Sequence, residues 1–209
     1  MREGGNCASL VDPVHTYYQS REIVEQWVRR ESRLNLACWS DSYLLSSNDD
    51  SATSFWQMEQ VSRWIVNEHL TRQIPIRGAV ACGPVYVVTE DDIYIGGPLI
   101  EAYGHGENQN WIGLLLCRSA TRRLQQLGLP PSRRLNYRRW RIPFTRKKRG
   151  LKPLYACLMG SSWASRGTND RLEALRKMMV QAPSRRDKNK HRETIKFLES
   201  YGVFKAVNT

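Results

Sequence analysis

The spacing of apolar residues predicts two helices in the first third of the chain. In residues 15–30, apolar side chains recur every three to five positions among charged ones, which is typical of an amphipathic helix. Residues 52–73 carry a stronger stripe at helical spacing, made of Phe55, Met58, Val61, Ile65 and Leu70. One face of this second helix is therefore expected to be buried.

Between these helices the pattern changes to that of a β-hairpin. LNLACW and YLLSS are short apolar runs of the kind found in strands, and the tight connection Ser40-Asp41 joins them. Asp41 thus stands between two segments that are expected to be largely buried. A carboxylate placed at a rigid tip in this way is a candidate for a specific chemical role.

The rest of the chain continues the alternation of strands and helices. IPIRGAVACGPVYVV and IYIGG are β-rich and are separated by the turn EDD, while GGPLIEAYG reads as a glycine turn that opens a helix. WIGLLLC predicts a buried strand, and SATRRLQQLG predicts a helix that ends at its glycine. WRIPF and KPLYACLMG predict two more strands, and two helices broken at Ala182-Pro183 follow. The expected fold class is α+β or an α/β sandwich, with helices packed on a mainly antiparallel sheet.

Composition limits the architecture. A chain of 209 residues with 41% hydrophobic residues can bury one full core. It contains no apolar window long enough to cross a membrane, and its first residues lack the basic and apolar segments of a cleaved signal, so we expect neither. The five cysteines are far apart and form no close pair with histidines, which is typical of reduced, mostly buried thiols in a cytoplasmic protein: Cys7, Cys38, Cys82, Cys117 and Cys157.

Charge divides the chain sharply. Residues 1–107 carry 8 basic and 15 acidic side chains, whereas residues 108–169 carry 14 basic and no acidic ones. The basic segment should attract a polyanion, which could be a nucleoside triphosphate, RNA or the acidic half of the same chain. A solvated basic face without a specific partner is the alternative interpretation.

The order of these segments resembles the class III nucleotidyl cyclase homology domain over about residues 34–160. The resemblance rests on a carboxylate at a hairpin tip, a helix, the strand IPIRGAVACGPV, the hairpin to IYIGG, the helix GGPLIEAY and the strand WIGLLL. IEAY, QNWIG and the closing HRETIKFLESYG are most similar to bacterial antiphage pyrimidine cyclases of the Pycsar type. The resemblance implies a sheet related to the ferredoxin-like fold, a catalytic domain over residues 1–160 and a helical extension over residues 161–209.

The resemblance also implies a reaction. In that family the ribose 3′-hydroxyl attacks the α-phosphorus of the same nucleotide and expels pyrophosphate, with two divalent ions, Mn²⁺ or Mg²⁺, held by two aspartates. Asp41 matches the second of these aspartates. Asp12 is the only upstream aspartate that can match the first, although Pro13 follows it and the family's glycine is absent. Either Asp12 serves in a compressed site, or the first strand is missing because the chain starts late, and the chain is then inactive.

Four further positions carry over to substrate recognition and catalysis. Where purine-specific relatives have a lysine and an aspartate, this chain has Ala37 and Tyr94, which suits a pyrimidine, UTP in preference to CTP. The family's transition-state pair falls on Glu101 and His105, and their spacing of four places both on one face of a helix. Ordinary strand and helix positions are the alternative interpretation for these residues.

The triphosphate-binding lysine of the relatives corresponds most closely to Arg149. This residue lies in the basic loop RKKRGLKPLYACL, where Lys147, Lys148 and Lys152 are alternatives. The resemblance further implies a homodimer with composite active sites and a separate effector protein that senses the cyclic nucleotide, which would act as a second messenger in antiviral defence.

Two other functions fit the same sequence. The basic stretch with Tyr137, Trp140 and Phe144 interleaved is a candidate RNA-binding or other nucleic-acid-binding module, with the rings available for stacking. A cyclase-like scaffold that has lost catalysis would explain the departures at Asp12, Glu101 and His105. An assay for conversion of labelled nucleoside triphosphates distinguishes the three interpretations: an active cyclase, a nucleic-acid-binding module and an inactive scaffold.

Overall fold

The structure of the chain is a computed structural model that describes residues 8–30, 33–88, 93–132, 136–145, 154–157 and 168–200. These ranges contain six helices: α1 (Ala8–Val28), α2 (Ala52–Thr71), α3 (Gly97–Asn108), α4 (Arg118–Gln126), α5 (Thr168–Gln181) and α6 (Arg185–Glu199). They also contain eight strands: β1 (Leu34–Trp39), β2 (Ser42–Ser47), β3 (Arg77–Val80), β4 (Tyr86–Val88), β5 (Ile93–Ile95), β6 (Gly113–Leu116), β7 (Tyr137–Trp140) and β8 (Leu154–Cys157). None of these helices combines the length and the apolar content of a membrane span.

The main sheet has four strands in the order β3-β6-β8-β7. β3 runs parallel to β6, and the β6–β8 and β7–β8 pairs are antiparallel. All four residues of β6 are buried, as its continuous apolar run predicted. The strand therefore forms the centre of the core.

The predicted hairpin at Asp41 is confirmed, but its strands are not largely buried as expected. Only Leu34 and Ala37 of β1 are buried and β2 has no buried residue, because the hairpin forms a separate two-stranded sheet outside the main one. β1 and β2 pair antiparallel from Leu34↔Ser47 to Trp39↔Ser42, and Ser40 and Asp41 form the connection. Ser40 has a φ of 50°, so the turn uses the left-handed region at its first residue. β4 and β5 form a second hairpin, with Tyr86 opposite Ile95.

Helix α2 joins the hairpin to the rest of the molecule. Ser51 caps its N-terminus by accepting a hydrogen bond from the Ser54 backbone N–H at 3.2 Å. Val61 and Ile65 pack in a small apolar cluster with residues of α1 and β1, which are Val24, Val28 and Leu34. Val66 and Leu70 lie in the larger cluster around the main sheet, so α2 belongs to both cores.

The two C-terminal helices pack into the larger core. The chain breaks between them at Pro183, as predicted, and Ser184 caps α6 by accepting from the Asp187 N–H at 3.0 Å. The ring of Phe197 lies 4.8 Å from that of Trp111, and the Thr194 hydroxyl accepts from the Ile112 N–H at 2.8 Å. The described part of the predicted C-terminal extension, residues 168–200, thus shares its hydrophobic core with the main sheet.

The α+β class and the mainly antiparallel pairing agree with the sequence, but one strand lies elsewhere. We predicted a strand over WRIPF, residues 140–144, whereas β7 ends at Trp140 and Phe144 makes only an isolated bridge with Gln109. Pro143 explains part of the difference, because it has no N–H to donate to a ladder. The pairing with β8 uses the preceding residues, from Tyr137 to Trp140.

Candidate functional site

Asp41 lies at the exposed tip of the first hairpin. Its carboxylate makes no hydrogen bond or ion pair with the residues that the structure describes. The hydroxyl of Tyr17 on α1 donates to the Ser40 carbonyl at 2.6 Å. This bond fixes the tip to the neighbouring helix and limits the directions in which Asp41 can point.

The side chains beside Asp41 differ in exposure. Ala37 lies in β1 opposite Leu44 and is only 8% exposed, so its methyl group presents little surface to a base. Trp39 is 42% exposed and makes an edge contact with the ring of Tyr94, with centroids 5.2 Å apart. The contact brings the two hairpins together and places Tyr94 close to the tip that carries Asp41.

Gly96 connects β5 to α3 and is the N-cap of that helix. A Cβ at this position would lie 2.6 Å from the Pro84 carbonyl oxygen and 3.1 Å from the Val85 Cα. Both neighbours are backbone atoms and cannot rotate away, so only glycine fits. The start of α3 is therefore held against the segment that precedes β4.

Glu101 and His105 lie on one face of α3, as their spacing predicted, and Cys117 joins them. The three ligand atoms, a carboxylate oxygen, a ring nitrogen and the sulfur, all lie within 4.8 Å of one another. Cys117 follows the last residue of β6 and is the N-cap of α4. Burial raises the pKa of the Cys117 thiol well above the usual range, and the charge of Glu101 adds to the shift.

Neighbouring groups hold Glu101 in place. The Ser119 hydroxyl donates to its Oε2 at 2.5 Å and accepts from the Cys82 N–H at 3.0 Å. The ring of His105 lies 5.7 Å from that of Phe144. The sequence pattern does not mark Cys117 or Ser119 as site residues, and their one distinguishing feature is that they directly follow the buried strand β6.

The two predicted metal aspartates occupy different kinds of structure. Asp12 lies within α1 and not at the end of a strand, and its side chain is outside the described residues. Asp41 belongs to no group of three candidate ligands in the part of the chain that the structure describes. Asp41 therefore lies outside the one group of candidate ligands found among the described residues, which is Glu101, His105 and Cys117.

The basic segment is only partly described. Arg149, Lys147, Lys148 and Lys152 lie outside the described residues. Of the aromatic residues expected to stack on RNA, Tyr137 is 1% exposed, and Trp140 and Phe144 pack against the main core. These rings thus serve packing, which removes the aromatic support for a nucleic-acid platform.

Comparison with protein-family models, with curated proteins and with solved structures finds no match for this chain.

Proposed function

We propose that this chain is a pyrimidine nucleotide cyclase that converts UTP, in preference to CTP, to the 3′,5′-cyclic monophosphate and pyrophosphate. The observation that carries the proposal is the contact between Trp39 and Tyr94. It places the candidate base-recognising tyrosine beside the hairpin of Asp41, and β5 leads from Tyr94 directly into the helix of Glu101 and His105.

Each side chain has a role in this proposal. Tyr94 packs against the pyrimidine and offers its hydroxyl to the polar edge of the base. Glu101, oriented by Ser119, positions the ribose, and His105 donates a ring N–H to the α-phosphate. Arg149 and the neighbouring lysines bind the triphosphate.

The exposed carboxylate of Asp41 fits a hard divalent cation, since it is not engaged by the described residues. A Mn²⁺ or Mg²⁺ ion bound there would neutralise triphosphate charge and favour ionisation of the 3′-hydroxyl. Asp12 is the proposed second ligand. The proposed cytoplasmic enzyme acts as a homodimer, and its cyclic product is sensed by a separate effector protein.

The test is conversion of each of the four labelled nucleoside triphosphates by the purified chain with Mn²⁺, with separation of the products. We expect cyclic UMP as the main product, and Asp41→Asn should lower the rate about 100-fold or more because charge stabilisation in the transition state is lost. Asp50→Asn is the matched control, since Asp50 is also an exposed aspartate and pairs with Arg123 at 3.0 Å.

Several results would contradict the proposal. Equal conversion of all four nucleotides would remove the pyrimidine specificity, and an active Asp41→Asn variant would remove the metal role. Absence of any cyclic product would favour the catalytically inactive scaffold.

Nucleic-acid binding is the second candidate function, because the basic segment retains exposed side chains on α4 and β7: Arg118, Arg122, Arg138 and Arg139. This function predicts RNA affinity that falls steeply with salt and does not depend on Asp41. Titration of labelled RNA at increasing salt, with the wild-type chain and Asp41→Asn, separates it from the cyclase.

A further inference from the structure

We infer that Glu101, His105 and Cys117 form a binding site for a transition-metal ion, with Zn²⁺ as the best match. The site differs in position and in chemistry from the Mn²⁺ or Mg²⁺ proposed at Asp41. It requires no nucleotide, so it holds whether or not the chain is a cyclase.

The positions of the ligand atoms need little adjustment. Tetrahedral zinc sites have metal-to-sulfur and metal-to-nitrogen distances of about 2.3 and 2.0 Å, which places neighbouring ligand atoms about 3.5 Å apart. The three atoms here lie within 4.8 Å of one another. Small rotations of the half-buried Glu101 and His105 side chains move their ligand atoms by about 1 Å. Such a movement brings the separations close to those of a tetrahedral site.

The donor set selects the class of metal. A thiolate and an imidazole are ligands for Zn²⁺ and similar transition metals, whereas Mg²⁺ and Ca²⁺ require oxygen ligands. Coordination converts the Cys117 thiol to a thiolate and releases its proton to solvent. Three protein ligands leave a fourth position, and the half-buried side of the site can supply a water molecule to it.

The surroundings of the three side chains are those of a supported metal site. Cys117 follows β6, and its backbone N–H donates to the Val80 carbonyl at 2.8 Å, so the sulfur is held by the main sheet. The hydroxyl of Ser119 donates to Glu101, leaving the other carboxylate oxygen for an ion. Outer hydrogen bonds of this kind orient metal ligands and commonly change metal affinity about 10- to 100-fold.

The ligands come from two segments that are fixed independently. Glu101 and His105 are one helical turn apart on α3, whose start is held by the close approach at Gly96. Cys117 belongs to the rigid junction of β6 and α4. An ion would therefore join α3 to the central strand of the core.

The test is titration of the metal-free full chain with Co²⁺ in the absence of nucleotide, followed by absorption spectroscopy. Co²⁺ reports on zinc sites because a bound thiolate gives a charge-transfer band. We expect one ion per chain with this band, displacement by Zn²⁺ and no displacement by excess Mg²⁺. Glu101→Gln and His105→Ala should each weaken binding about 10-fold or more, as a ligand contributes at least as much as an outer partner.

Cys117→Ser should abolish the band, and Cys157→Ser is the matched control because Cys157 is equally buried and lies in β8. Circular dichroism verifies that each variant is folded. If Cys117→Ser does not fold, His105→Ala decides, because that side chain is half-buried and outside the main core. The inference is overturned if no thiolate band forms, if His105→Ala binds as tightly as wild type, or if Cys157→Ser loses the band.

One consequence rests on the proposed function. Because the ion would use the side chains assigned to ribose and α-phosphate binding, Zn²⁺ should inhibit cyclisation, and Cys117→Ser should need more Zn²⁺ for the same inhibition. Failure of the cyclase assay leaves the Co²⁺ result unaffected, so the two proposals fail separately.

Discussion

His69 is a buried side chain whose hydrogen bonds determine its tautomer. It is 1% exposed, and its Nδ1 lies 2.9 Å from the Ile65 carbonyl oxygen. A carbonyl can only accept, so Nδ1 carries the proton and Nε2 accepts from the Tyr43 hydroxyl at 3.2 Å. The neutral ring thus links α2 to the hairpin that carries Asp41.

This environment predicts a loss of stability in mild acid. Burial lowers the pKa of His69 below its ordinary value of 6.5, although the Ile65 carbonyl and Glu68 oppose the shift. The unfolded chain then takes up a proton before the folded chain does, so stability is full above about pH 6.5 and falls as the pH decreases toward the folded pKa. The slope in that interval approaches about 1.4 kcal/mol per pH unit.

Urea unfolding of wild type and His69→Gln measures how the free energy of unfolding depends on pH. The measurements cover about pH 5 to pH 8, the range in which histidine titrates. The slope should be smaller in His69→Gln, since glutamine does not titrate. The matched control is His15→Gln, because His15 is exposed on α1. Identical slopes for wild type and His69→Gln would contradict the prediction.

At the scale of elements, α2 contains a buried ion pair. Arg63 Nε lies 3.1 Å from Glu59 Oε1, and the two side chains are 6% and 2% exposed. Burial raises the pKa of Glu59 despite the opposing charge of Arg63. The pair occupies the core side of the helix, where periodicity alone would favour apolar residues.

Removing one partner of this pair should be costly, while removing both should not. Glu59→Leu leaves the guanidinium without its carboxylate in the core, and Arg63→Met leaves the reverse. Each single change should lower the free energy of unfolding by about 3–5 kcal/mol, whereas the double variant should recover most of the loss. Denaturant unfolding of the four proteins measures the coupling.

The exposed pair of Glu173 and Lys177 on α5 has the same spacing of four and provides the control. Its removal should have little effect, because solvent screens both charges. Additive losses in the Glu59 and Arg63 variants would show that the two side chains do not stabilise each other.

At the scale of the whole molecule, the acidic and basic segments of the chain partly neutralise each other. Arg123 of the basic segment pairs with Asp50 of the acidic segment at 3.0 Å. Other arginines of the basic segment remain exposed, among them Arg118 and Arg139. Their charge is available to a second copy of the chain or to a polyanionic substrate.

If the sites of a homodimer are composite, two inactive variants should complement each other. Asp41→Ala and Arg149→Ala each remove one half of every site, but a mixed dimer contains one intact site. Random mixing should therefore restore about a quarter of wild-type cyclase activity, since half of the dimers are mixed. Cyclic UMP formation by the mixture, against each variant alone, measures this, and no recovery would indicate sites within single chains.

The local structure of the chain was largely predictable. Period and composition gave the two hairpins, the helical stripe of α2 and the break at Pro183, because each depends on neighbours in sequence. The prediction of a strand over WRIPF was wrong. The apolar residues there are buried or partly buried but do not pair in a ladder, and the position of β7 depends on which residues pair with β8. The class of fold followed from the order of the elements.

The candidate site was predictable only in part. The sequence by itself determined that Asp41 stands at a hairpin tip and that Glu101 and His105 share a helix face, since turn chemistry and helical spacing are local. Only the tertiary structure decided that Tyr94 contacts Trp39 and that Cys117 meets the Glu101 and His105 pair. Those contacts form when separate segments pack on one core, and no spacing along the chain encodes which side chains then become neighbours.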